Sequence, residues 1–183
     1  MLFPRLSTTR LELTEIKSND DVDNLFALFA HDSVVEYYDL SPLTELSQAT
    51  KLIELFHRRI ENGDGIRWAI RLKQHGALIG TCGFNSWCLR SKSAVIGYDL
   101  HPDFWGQGYM NEALGAAIAA AFSGKLACGE LNRIQADTVP GNLKSESVLK
   151  KLGFQEEGLR RQAGFWKERY FDLKCFGLLR SDV

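Results

Sequence analysis

Through Thr9-Arg10-Leu11-Glu12-Leu13-Thr14-Glu15-Ile16 apolar and polar residues alternate, the two-residue period of a half-buried strand. Ser18-Asn19-Asp20-Asp21 then supplies N-cap chemistry, and Val22, Leu25, Phe26, Leu28 and Phe29 recur three and four apart, which predicts a helix. The same spacing predicts a second helix from about Thr44 to Ile60, with Leu52, Ile53, Leu55, Phe56 and Ile60 inward, ending near Asn62-Gly63-Asp64-Gly65. The period then returns to two. Arg67–Leu72 and Ala77–Phe84 read as a hairpin across Lys73-Gln74-His75-Gly76, and Ala94–Leu100 as the next strand. A helix is expected from about Gly108 to Phe122, with Met110, Ala113, Leu114, Ala117, Ile118 and Ala121 on one face and Ser123-Gly124 at its end.

Leu131–Val139 predicts a further strand, broken by Pro140-Gly141 and followed by a helix from Asn142. Leu152-Gly153-Phe154 matches a helix closed by a left-handed glycine, with Phe154 folded back near Leu149. Phe154–Leu159 and Arg169–Leu178 are expected to be two closing strands, with the more polar 160–168 as the connection. The order is a strand, two helices, a three-strand meander, helix, strand, helix and two strands. Such an order predicts a mixed α/β (α+β) fold, a largely antiparallel central sheet of about seven strands with about four helices, in a single domain over 1–183.

Charged residues make up 25% of the 183 and nearly cancel, to a formal −1, so neither nucleic acid nor a membrane is expected as partner. Met1-Leu2-Phe3-Pro4-Arg5-Leu6 lacks the apolar core of a leader, and no apolar run reaches the roughly 18 residues of a membrane span, which points to a cytoplasmic protein. Cys82, Cys88, Cys128 and Cys175 have neither CxxC spacing nor a paired histidine motif, so they are expected to be reduced small hydrophobes and no metal is expected.

The chemistry concentrates where the sixth expected element meets the seventh. After the strand, His101-Pro102-Asp103 ends the extended run, and Trp105-Gly106-Gln107-Gly108-Tyr109-Met110-Asn111 opens the helix. Backbone N–H groups at such a turn have no partner inside the helix and suit a phosphate or pyrophosphate, although glycines there also serve simply to relieve steric conflict. The dinucleotide fingerprint fails because its third glycine would fall on Asn111, and no Gly-Lys-Ser/Thr follows for a nucleotide-triphosphate loop.

Residues 95–114 resemble the acetyl-coenzyme A motif of the GNAT N-acetyltransferases, Gln/Arg-x-x-Gly-x-Gly/Ala, and Asn142-x-x-Ser145 followed by Val148-Leu149-Lys150-Lys151-Leu152-Gly153-Phe154 resembles that family's second motif. Thr9-Arg10-Leu11 and Glu157-Gly158-Leu159-Arg160 are similar to the RimJ/RimL-like branch, and the resemblance spans nearly the whole chain. It implies acetyl-CoA as co-substrate, held by Leu100, His101, Trp105, Gly106, Gln107, Gly108, Tyr109, Met110, Asn111, Asn142 and Ser145, with direct attack by an amine on the thioester. Trp105 stands at the motif's Gln/Arg position and Met110 at its Gly/Ala position. Leu149 stands where many members carry the tyrosine that protonates the thiolate; the resemblance to RimL-like enzymes implies Ser145 as the acid. Gly164 stands where RimL-like enzymes offer a glutamate base, so Asp99 and Glu168 are candidate replacements, each equally suited to a structural role.

Asn142 also fits a helix cap, His101 a turn residue before Pro102, Lys150-Lys151 a solvated helix end, and Trp87, Trp105 and Trp166 core or rim packing. Deprotonating a lysine side chain at neutral pH costs roughly 4 to 5 kcal/mol, an α-amino group only about 1. Without a glutamate at 164, a protein N-terminal α-amino group is therefore the expected acceptor, with a small-molecule amine (polyamine, amino acid or aminoglycoside) and non-catalytic acyl-CoA binding as the alternatives, in a monomer or homodimer.

Overall fold

The computed structural model describes residues 3–183; Met1 and Leu2, part of the expected leaderless start, lie outside the described residues. The chain runs β1 (Leu6–Ser7), β2 (Leu11–Thr14), α1 (Val22–Phe29), α2 (Asp32–Val35), α3 (Leu46–Glu61), β3 (Ile66–Leu72), β4 (Leu78–Cys88), β5 (Ser93–Leu100), α4 (Tyr109–Phe122), β6 (Arg133–Thr138), α5 (Leu143–Lys151), β7 (Gln155–Trp166) and β8 (Arg169–Leu179). One mixed sheet contains all eight strands in the order β1-β2-β3-β4-β5-β6-β8-β7. Every pair is antiparallel except β5 with β6.

Both faces of the central strands are covered, which is why β3 is buried at nearly every position rather than at alternate ones. Trp68 and Ile70 on one face join the larger core with Ala113, Leu114, Ala117 and Ala121 of α4 and Leu149 of α5. Ala69 on the other face packs with Leu25, Leu28 and Phe29 of α1 and Ala49, Ile53 and Phe56 of α3. Leu55, expected inward, is 38% exposed, because the buried stripe of α3 runs through Ala49, Ile53 and Phe56 instead.

Most expected elements occur within a few residues of their expected bounds, and the differences have local causes. The expected first strand is two short strands, β1 and β2, paired through a tight turn in which Thr8 donates its N–H to the Leu11 carbonyl. The four-residue α2 is too short for any period to reveal. The segment 160–168, expected as a connection, is largely β7, an edge strand exposed along almost its whole length; its polar residues face water on both sides. Register shifts at Glu156/Gly158 and Arg160/Gly164 accommodate its extra residues. Gly153 has φ +88°, and Phe154 N–H donates to the Leu149 carbonyl at 3.0 Å, the glycine-closed helix end that the sequence signals. Cys82 and Cys128 are buried as expected, whereas Cys88 is exposed; all four are free thiols.

Candidate active site

β5 and β6 pair only over Ser93–Val95 against Arg133–Gln135. β5 continues to Leu100 along β4, and β6 continues to Thr138 along β8, so beyond Val95 and Gln135 the two parallel strands part. The sheet is split there, and the edges facing the split carry backbone groups with no ladder partner. His101 donates its N–H to the Ile79 carbonyl at 2.8 Å, on the β4 side. By strand alternation the Leu100 amide faces the opposite edge, into the split. This corrects the expectation for His101: its amide is committed to β4, and the donor open to a ligand is that of Leu100.

The loop after β5 folds back onto the strand end. Trp105 Nε1 donates to the Leu100 carbonyl at 2.7 Å, and Lys144 Nζ lies 3.7 Å from the centroid of the indole, so this residue links β5, the loop and the start of α5. Gly106 and Gly108 both adopt left-handed backbone, φ +74° and +80°, and no side chain caps α4. A Cβ on Gly106 would meet nothing within 4 Å, and one on Gly108 would meet only Arg10 Nη2, at 3.5 Å. The first turn of a 14-residue helix thus presents free amides beside open space, a cradle that fits an anion such as a pyrophosphate.

Long-range contacts hold this turn. Glu112, in the first turn of α4, accepts from Thr8 Oγ1 at 2.6 Å, the Arg10 amide at 2.7 Å and Arg10 Nε at 2.6 Å, while Arg10 Nη1 donates to the Gln107 carbonyl at 3.0 Å and its guanidinium stacks over Tyr109. Burial opposes the charge on Glu112, and the donors from Thr8 and Arg10 outweigh it, holding the carboxyl below its usual range. Gln107 donates its side-chain amide to the Asp103 carbonyl, and Asn111 donates its own to the Val148 carbonyl at 3.2 Å, tying α4 to α5. Met110 is buried in the larger core.

Across the split, Asn142 Oδ1 accepts from the Ser145 amide at 3.2 Å, so it caps α5. Ser145 is part-buried. Tyr98, which no local pattern singles out, lies on the α4 face of β5 and donates to the Ser145 carbonyl at 3.3 Å. The opposite face of β5 carries Asp99. Its side chain is 2% exposed and ion-paired with Arg67, and Oδ2 also accepts from Thr81 at 3.1 Å and Tyr38 at 3.3 Å. Burial pushes the carboxyl up against the pull of Arg67. Neutralising it would leave the guanidinium buried without a counter-charge.

Residues 31–38 bridge the two arms of the split. His31 lies on His101 at the end of β5, and Tyr37 donates to the Gly141 carbonyl at 3.3 Å beyond β6. From the β7–β8 turn, Lys167 Nζ reaches the Val35 carbonyl at 2.7 Å. Trp166, just before that turn, stacks on Phe171, and a Cβ on Gly164 would sit 2.1 Å from its ring. The indole therefore occupies the place of a side chain at 164. Trp87 pairs with Ala94, near the closed end of the β5–β6 pair, and Lys150 joins Glu146 and Glu156 at the far end of α5, so neither belongs to this site. Glu168 is an exposed turn residue with φ +59°.

Residues 10–155 match the family model of the acetyltransferase (GNAT) domain. The chain is 34% identical over 179 residues to the N-acetyltransferase YoaA of Bacillus subtilis (strain 168), covering 98% of each, and 35% identical over 177 residues to the N-acetyltransferase p20 of Bacillus licheniformis, covering 97% of each. Among solved structures it superposes on the ribosomal α-N-protein acetyltransferase RimL in complex with coenzyme A with a TM-score of 0.83 at 23% identity, over 96% of this chain and 98% of that one.

Proposed function

The chain belongs to the acetyltransferase (GNAT) domain family, and on that premise we propose that it moves acetyl from acetyl-CoA to the α-amino group of a protein N-terminus by direct attack in a ternary complex. The observation that carries the reading is the uncapped, glycine-opened first turn of α4 at the mouth of the split between β5 and β6. The amides of Gly106 to Asn111 would hold the pyrophosphate with the positive end of α4. The Leu100 amide supplies a donor for the charge that gathers on the thioester oxygen during attack. Ser145, at the start of α5, returns a proton to the departing thiolate.

On the other face of β5, Asp99 is buried against Arg67, which neutralises its charge, and its Oδ2 already accepts from Thr81 and Tyr38, so it is not free to take a proton from the amine. Support for an α-amino acceptor comes from Gly164, where Trp166 excludes a carboxylate, because an α-amino group needs far less help to lose its proton than a lysine does. RimL, the structural neighbour, is itself an α-N-protein acetyltransferase.

Thiol release from acetyl-CoA over N-terminal peptides, polyamines, amino acids and aminoglycosides tests this, with mass spectrometry placing the acetyl group on the α-amine or on lysine. Turnover confined to small amines would replace the acceptor assignment, and tight binding without turnover on any acceptor would overturn the enzymatic one. Ser145→Ala is expected to lower kcat by roughly a hundredfold with acetyl-CoA affinity unchanged. An unchanged kcat removes Ser145 from the mechanism.

A further inference from the structure

We propose that His31 and His101 act as one proton-accepting pair for the acceptor amine, in place of the carboxylate that Trp166 keeps out at position 164; this rests on the acetyltransferase reading. The two Nε2 atoms are 3.1 Å apart with the rings perpendicular. At that distance one nitrogen carries the hydrogen and the other accepts it. His101 is the residue after Leu100, whose amide faces the split, and its side chain lies on the Asp99 face of β5, so the pair stands beside the thioester donor where residues 31–38 cross the split. His31 is exposed and opens the segment that bridges the arms of the split.

The far side of His101 can accommodate either protonation state. Its Nδ1 faces both the Asp103 main-chain N–H, 3.4 Å away, and the Asp103 carboxylate, 3.6 Å away. With Nδ1 bare, the amide donates to it; with Nδ1 protonated, the carboxylate is the negative charge nearest to it. In the second arrangement His101 Nε2 is the acceptor, His31 Nε2 carries the shared hydrogen, and His31 Nδ1 holds a free lone pair on the exposed ring. A proton taken from the ammonium at that atom leaves a neutral amine and an imidazolium. The positive charge is then shared across the His31–His101 contact, opposite the Asp103 carboxylate. The amine next forms the C–N bond, the C–S bond breaks, the nitrogen's second proton ends on the thiolate, and the pair returns its proton to solvent. Asp103 is the charged group facing the pair; among the described residues no other carboxylate or cation lies within ion-pair distance of either ring.

The test uses His31→Gln, His101→Gln and the double variant, assayed by thiol release with an N-terminal serine octapeptide from pH 6 to 9, beside acetyl-CoA affinity by calorimetry and folding by circular dichroism. Both single variants are expected to bind acetyl-CoA within about twofold of wild type and to lose roughly a hundredfold in kcat/KM at pH 6.5. The deficit should shrink as pH rises past the peptide α-amino range near 7.7–8.0, where the free amine no longer needs a base, and the double variant should be no worse than either single one. Turnover within twofold of wild type at all pH values, or a deficit equal at every pH, overturns the pair as proton acceptor while leaving the acetyltransferase reading intact. A wild-type protein that binds acetyl-CoA and turns over no amine overturns both.

Discussion

Two residue types hold this site by what they exclude. Gly164 has ordinary backbone, so its lack of a side chain is not about conformation; the ring of Trp166 takes the space, stacked on Phe171 with centroids 4.3 Å apart. Gly164→Ala should force the indole off that stack and lower stability by about 1–3 kcal/mol, or roughly 2–12 °C in Tm, read by thermal melting. Combining it with Trp166→Ala should recover the part of the loss that comes from overlap. A double variant as unstable as the sum of the singles would show that the contact is not the cause. The residues of Asn142-x-x-Ser145 and of the glycine turn were legible because each acts through a neighbour in sequence. Arg67, Tyr98 and His31 were not, since their partners are 32, 47 and 70 positions away and no local spacing marks them.

At the scale of elements, the N-terminal strands and α4 form one unit through Glu112. Its carboxyl is held below its ordinary value of 4.5, so the stabilisation is fully present above that value and is lost as pH falls through the lower folded value. Glu112→Gln should cost about 1 kcal/mol at pH 7, the partner Arg10 being 43% exposed and screened, and the difference from wild type should shrink in urea titrations as the pH falls below 4.5. A cost unchanged at low pH would assign the effect to packing instead. The cradle that this unit supports is stiffened from outside: Arg10 lies close to both Gly108 and the Gln107 carbonyl. A carboxylate at position 108 would find Arg10, whereas one at position 106 would project into open space, so Gly106 is the cleaner position at which to probe anion binding.

For the whole molecule, the decisive feature is a sheet that is continuous from edge to edge yet parted in its middle. A ligand seated there bridges β5 and β6, and acetyl-CoA at about a hundred times its Kd should stabilise the protein by about 2.7 kcal/mol, raising Tm by roughly 5–10 °C. Hydrogen exchange should slow in Ile96–Leu100, in the first turn of α4 and in the amides of β6 that face the split. Protection confined to α4 would contradict a ligand in the split. Sequence alone determined the order of the longer elements, the mixed α/β class, the glycine turn, the capped start of α5 and its glycine-closed end, because helix and strand periods, caps and left-handed turns are set by residues within a few positions of one another. Tertiary structure alone decided the rest. Where β5 and β6 part, which amide of the strand end is free, why position 164 has no side chain, and which histidine meets His101 all depend on contacts between distant segments, and these are fixed only once both faces of the sheet have been buried.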